Sequence, residues 1–78
     1  MPPGGGVRLH KHPYMEIFII QEGTATFIVG PSRIQAPAGQ IIVVPALTPH
    51  RFTAAGARPL RQIDIHVNGQ LITDPIEE

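Results

Sequence analysis

The chain has 78 residues, six basic and six acidic side chains, a formal net charge of zero and no cysteine. A chain of this size is one small domain, near the limit at which a single apolar core suffices and metals or oligomerisation commonly add stability. The balanced charge carries no basic stripe for nucleic acid or an anionic bilayer. The lack of cysteine excludes disulfides, thiolate ligands and a Cys nucleophile, and a cytoplasmic protein is expected.

Met1-Pro2-Pro3-Gly4-Gly5-Gly6 has neither the charged nor the apolar region of a signal peptide and reads as a flexible lead-in, residues 1–6. The first strand is expected over Val7 to His12, interrupted by Pro13. Met15 to Gln21 is rich in β-branched and aromatic residues and ends at Gly23. Its alternate residues Glu16, Phe18 and Ile20 share one face, and Met15, Ile17 and Ile19 the other, so both faces are expected to be covered.

A tight turn leads into a strand over Thr24 to Val29, and Gly30-Pro31-Ser32 turns the chain again. Such short connections join antiparallel neighbours. Arg33 to Ala36 forms a short strand, Pro37-Ala38-Gly39 a turn, and Gln40 to Val44 an apolar strand ended by Pro45. The longest apolar run, Ile41 to Val44, is far too short to cross a bilayer as a helix. Ala46 to Pro49 is a loop, His50 to Ala54 is extended, and Leu60 to Val67 is the last good strand. Residues 68–78 form a polar tail, loosely held through Asp74, Glu77 and Glu78. No stretch keeps a helical apolar period, and closely spaced turns predict an all-β sandwich or barrel of about eight short strands at most.

The chemistry gathers in two stretches. His10 and His12, two apart on an extended segment, point to the same side and can converge on one metal ion. Glu16 adds a carboxylate, and His50 follows in Pro45-Ala46-Leu47-Thr48-Pro49-His50. Three imidazoles and one carboxylate suit a divalent cation with positions left open, and the ion could be iron, manganese, copper, zinc or nickel.

These stretches resemble the two motifs of the cupin family. Gly4, His10, His12, Glu16 and Gly23 match every fixed position of its first motif, and Gly39, Pro45 and His50 match three of the second. Leu47 stands where a glycine is usual and Ala54 where an asparagine is usual. Because leucine takes positive φ only at a cost, the loop before His50 is expected to turn differently. The resemblance covers about Gly4 to Ala54. It implies a double-stranded β-helix, a jelly-roll barrel of two antiparallel sheets, with His10, His12, Glu16 and His50 binding one divalent metal ion inside. Family members usually carry strands ahead of the first motif, so an edge is expected to be bare and to pair in a homodimer.

Around the metal, Tyr14, Phe18, Ile20, Phe27, Phe52, Ile63 and Ile65 are candidate pocket walls, with core packing as the plainer role. Tyr14 reads as a rim aromatic beside Pro13. His66 alternates with Asp64 and Gln62, opposite Ile63, Ile65 and Val67, and is expected outside the core. Arg33, Arg51, Arg58 and Arg61 are scattered, and Gly4-Gly5-Gly6 lacks the flanking elements of a phosphate loop.

A divalent ion held by one carboxylate keeps about one net positive charge, which favours small ligands carrying an oxygen anion. The resemblance allows an iron-, copper- or manganese-dependent dioxygenase, which is favoured, or a metal-assisted isomerase. A non-catalytic small-molecule or metal sensor is the other class of function.

Overall fold

The computed structural model describes residues 1–76. Eight strands follow in chain order among them: β1 (His10–Lys11), β2 (Glu16–Glu22), β3 (Thr24–Val29), β4 (Ser32–Pro37), β5 (Ile41–Val44), β6 (His50–Ala55), β7 (Arg61–His66) and β8 (Asp74–Pro75). They form two antiparallel sheets, a larger one in the order β4-β3-β6-β1-β8 and a smaller one in the order β5-β2-β7. The all-β arrangement of two antiparallel sheets is the one expected. No helix among the described residues is long and apolar enough to cross a membrane.

The core lies between the sheets and is built by alternation. Phe18 and Ile20 of β2, Ala25 and Phe27 of β3, Ala36 of β4, Val44 of β5, and Phe52 and Ala54 of β6 are buried, with Leu60 just before β7. The three phenylalanine rings meet edge to face or tilted, Phe18 at 4.9 Å from Phe27 and 5.4 Å from Phe52. Offset contacts of this kind add to the ~1.5–3 kcal/mol that burying each large apolar side chain contributes. Gly23 makes the turn between β2 and β3 at φ 79, where a side chain would collide with the backbone oxygen of Pro59.

The register between β2 and β7 reverses one expectation. Glu16 pairs with His66, Phe18 with Asp64 and Ile20 with Gln62, so these β7 residues share the inner side with Glu16, Phe18 and Ile20. Ile63 and Ile65, expected as pocket walls, instead face outward at 44% and 41% exposure. His66, expected outside the core, is brought alongside Glu16.

The outer face of the smaller sheet is consequently aliphatic. Ile19 lies between Ile41 and Ile63 in one row, and Ile17 between Val43 and Ile65 in the next. Met15 and Val67 extend the face, joined by a backbone hydrogen bond of 3.0 Å from Val67 N–H. Ile17 and Ile19 are half-buried and the flanking side chains exposed, so the cover expected on both sides of β2 exists on the inner side alone within one copy.

The ends of the chain differ from expectation too. Rather than being flexible throughout, the lead-in makes backbone hydrogen bonds, Gly4 N–H to Ala54 at 2.9 Å, Ala54 N–H to Gly5 at 2.7 Å and Leu60 N–H to Met1 at 2.7 Å. The first regular strand is shorter than Val7 to His12, with Gly6 bridging Thr53 separately. In the tail, β8 pairs with β1 through His10 and Pro75 and through Lys11 and Asp74. Glu77 and Glu78 lie outside the described residues.

Candidate metal centre

His10 on β1 and His50 on β6 are direct cross-strand partners in the larger sheet. His12 follows β1, and Glu16 opens β2 in the smaller sheet. The two sheets thus deliver donors to one place, and one ligand-capable atom from each of these four residues lies within 4.8 Å of all the others. His12, Glu16 and His50 are buried and His10 half-buried.

Each histidine uses its Nδ1 on a backbone carbonyl. His10 reaches Arg8 at 2.6 Å, His12 reaches Ile72 at 2.7 Å, and His50 reaches Thr48 at 2.9 Å. A carbonyl only accepts, so each Nδ1 carries the hydrogen and, in a neutral ring, Nε2 keeps its lone pair. This is the tautomer a metal ligand needs. Glu16 Oε1 lies 2.9 Å from His50 Nε2 and 3.1 Å from His12 Nε2, and the buried His12 Nε2 has no hydrogen-bond partner. Lone pairs so close repel unless a cation, proton or metal lies between them. The four residues therefore fit a divalent ion.

Without metal, a proton shared by Glu16 and His50 relieves part of this repulsion. Burial works against the charge of Glu16, but the His50 hydrogen bond and the nearby His66 and His12 hold its pKa below the usual carboxylate value. Burial likewise opposes charge on His50, yet Glu16 and the Thr48 carbonyl raise its pKa. His10 is shifted down, by burial first, against the pull of the Arg8 carbonyl and with help from His50 and His12. A lowered pKa keeps His10 a free base at neutral pH, as ligation requires.

The loop before His50 departs from the expectation set by Leu47. Leu47 sits at φ 63, in the left-handed conformation that glycine takes without cost, and so accepts strain. Its N–H bonds the carbonyl of His12 at 2.7 Å, tying the loop to the strand that carries the other histidines.

Among the candidate pocket residues, Phe18, Ile20 and Phe27 are fully enclosed in the core. Phe52 is buried at 5% exposure and borders a cavity of about 280 Å³ lined also by Met1, Leu60, Arg61, Gln62 and Asp64. Tyr14 is not a rim residue. It is 8% exposed, stacks on the His12 ring with centroids 5.0 Å apart, and its hydroxyl lies 2.7 Å from His66 Nδ1.

Sequence reasoning missed Asp64 and His66 at the site. Asp64, at the solvent edge of the inner side, has its pKa raised to about 6 by partial burial and by the charge of Glu16. His66 Nε2 lies 3.2 Å from Glu16 Oε2. Their alternation with outward isoleucines was visible, but the apolar residues were assigned to the inside.

A family model described as a cupin domain matches residues 1–66. No curated protein matches the chain. Among solved structures, a double-stranded β-helix protein from Klebsiella pneumoniae superposes with a TM-score of 0.89 at 20% identity over 100% of this chain. A cupin-like protein from Thermotoga maritima superposes at 0.88 with 21% identity over 96% of it. The DMSP lyase DddQ from Ruegeria pomeroyi superposes at 0.80 with 25% identity over 100% of it. The chain spans 66%, 58% and 42% of the lengths of these three proteins, respectively. A motif match, two sheets arranged as in these structures and a family model covering most of the sequence agree, and the chain belongs to the cupin family.

Proposed function

We propose that this cupin domain holds one divalent metal ion through His10, His12, Glu16 and His50 and binds there a small organic compound carrying an oxygen anion. One observation supports the reading above all: three histidines each commit Nδ1 to a carbonyl, His12 and His50 bring Nε2 to 3.1 and 2.9 Å from one carboxylate oxygen, and a donor atom of His10 lies within 4.8 Å of the group. When bound, the ion supplies Lewis acidity and, if it is iron, manganese or copper, redox reactivity toward oxygen. The protein orients its donors through the three backbone carbonyls and excludes water from one side with Phe18, Ile20 and Phe27, while Tyr14 packs on the His12 ring. The reaction class we favour is dioxygenase-type chemistry on a small compound in the cytoplasm.

A second reading draws on the groups that β7 brings inward. Tyr14, Asp64 and His66 can exchange protons, and the Ruegeria relative is a lyase, so metal-assisted proton transfer is the alternative. Oxygen uptake by metal-loaded protein during turnover of small hydroxy acids, hydroxyketones and enols separates the two. Uptake tied to product supports the oxygenase reading, equal turnover without oxygen supports proton transfer, and ligand-dependent stabilisation without turnover leaves a binding module.

We further propose that the outer face of the smaller sheet pairs with a second copy. Its eight aliphatic side chains, Met15, Ile17, Ile19, Ile41, Val43, Ile63, Ile65 and Val67, include no charge to oppose self-association about a two-fold axis. Monomers rarely expose large contiguous apolar patches, and six of the eight side chains on this face are exposed in a single copy.

A further inference from the structure

A chain of contacts runs from the tail of the protein to the carboxylate of Glu16. The N–H of Ile72 donates to the Tyr14 hydroxyl at 3.3 Å, and that hydroxyl lies 2.7 Å from His66 Nδ1. His66 Nε2 faces Glu16 Oε2 at 3.2 Å. The donors and acceptors match along the whole path for a neutral His66. Tyr14 accepts from Ile72 and donates to Nδ1, which leaves the hydrogen on Nε2, 3.2 Å from an oxygen that can only accept.

The other oxygen of Glu16, Oε1, is the one beside His12 and His50. The carboxylate is thus divided, Oε1 turned to the histidine nitrogens and Oε2 turned to His66. The same Ile72 also fixes His12 through its carbonyl, 2.7 Å from Nδ1. One residue of the tail therefore braces a histidine of the cluster with its carbonyl and the tyrosine behind the carboxylate with its N–H. Neither His66 nor Ile72 belongs to the motif positions that mark the cluster in the sequence.

We propose that His66, held by Tyr14 and Ile72, is a positioning residue that confines Glu16 to ligation through the single oxygen Oε1. The proposal rests on the metal reading above. Contacts behind a ligating group typically change metal affinity 10–100-fold when removed, because the ligand then samples orientations that do not serve the metal. Here the alternative orientation is specific: released from His66, the carboxylate is free to turn both oxygens toward the ion.

The test loads the protein with Co(II), whose visible absorption reports coordination and whose affinity is read by competition with a chelator. His66→Gln keeps an N–H donor near the position of Nε2, whereas His66→Phe removes it at similar bulk. His66→Phe is expected to bind Co(II) about 10–100-fold more weakly than wild type, with a changed absorption band. His66→Gln is expected to stay within about threefold of wild type with the band retained. Tyr14→Phe, which leaves the whole motif intact, is expected to change the band in the same sense as His66→Phe but less, and carries the test if His66→Phe does not fold. Equal affinities and an unchanged band in His66→Phe and Tyr14→Phe would overturn the proposal while leaving the metal reading standing. Failure of wild type to take up Co(II) at all would overturn both.

Discussion

Leu47 and His12 are joined by a 2.7 Å hydrogen bond from the N–H of a residue at φ 63 to the carbonyl of a candidate ligand. The bond connects the two parts of the centre, but it holds a leucine in a conformation costing about 1–2 kcal/mol for any residue with a Cβ. Leu47 is 60% exposed, so its side chain contributes little packing in return. Leu47→Gly is therefore expected to stabilise the metal-free protein by about 1 kcal/mol, raising the unfolding midpoint by about 4–8 °C. Leu47→Ala retains the Cβ and should show no such gain. Thermal unfolding of both variants checks this.

Acid should release the metal, because protons compete for the three histidine nitrogens. The raised pKa of His50 means that competition starts above the ordinary histidine value of about 6.5. In the metal-free protein the sign is more particular. Glu16, lowered, contributes stability that is lost as pH falls through its folded pKa, and His50, raised, contributes stability that is lost as pH rises through its own. From these two groups, metal-free protein gains most between those two values, and bound metal should remove the alkaline-side loss that His50 causes while leaving the acid-side loss. Denaturant unfolding across the pH range, with and without metal, measures both curves.

Asp64 works in the opposite sense to Glu16. Its folded pKa is raised to about 6 from the ordinary 3.8, so its contribution favours folding below the lower value and is lost as pH rises through the upper one. The groups responsible beyond partial burial are Glu16 on β2, opposing its charge, with His66 and Gln62 on β7 and His50 on β6 favouring it. Asp64→Asn is expected to stabilise the metal-free protein at pH 7 and to leave it nearly unchanged at pH 4. Equal effects at the two pH values would contradict this account of Asp64.

The aliphatic face gives a prediction about assembly. Light scattering on the purified protein should return the mass of a dimer, and Ile65→Lys should return a monomer that still binds metal, since Ile65 faces away from the cluster. A monomeric wild type would contradict pairing through this face.

Much of the fold was legible from alternation and turns. The strand over Thr24 to Val29 has the expected bounds, and the other strands from β2 to β7 fall within one or two residues of theirs. The four clustered residues were legible because His-x-His on an extended segment fixes a common side. What escaped was the facing of β7. Apolar residues were placed inward, but the register opposite β2 is set by Glu16 and His66, and the isoleucines go outward onto a sheet that one copy leaves bare. Pairing across 50 residues leaves no local signal, and the same holds for the tail, whose polar composition hides that Ile72 reaches both His12 and Tyr14.

The central claim is tested most directly by elemental analysis of tag-free protein after reconstitution, wild type beside His50→Ala. The account predicts about one equivalent of a divalent metal in the wild type and a sharp reduction in the variant. The same low metal content in both would contradict it, and the four residues would then be a mark of ancestry in the fold rather than a working centre.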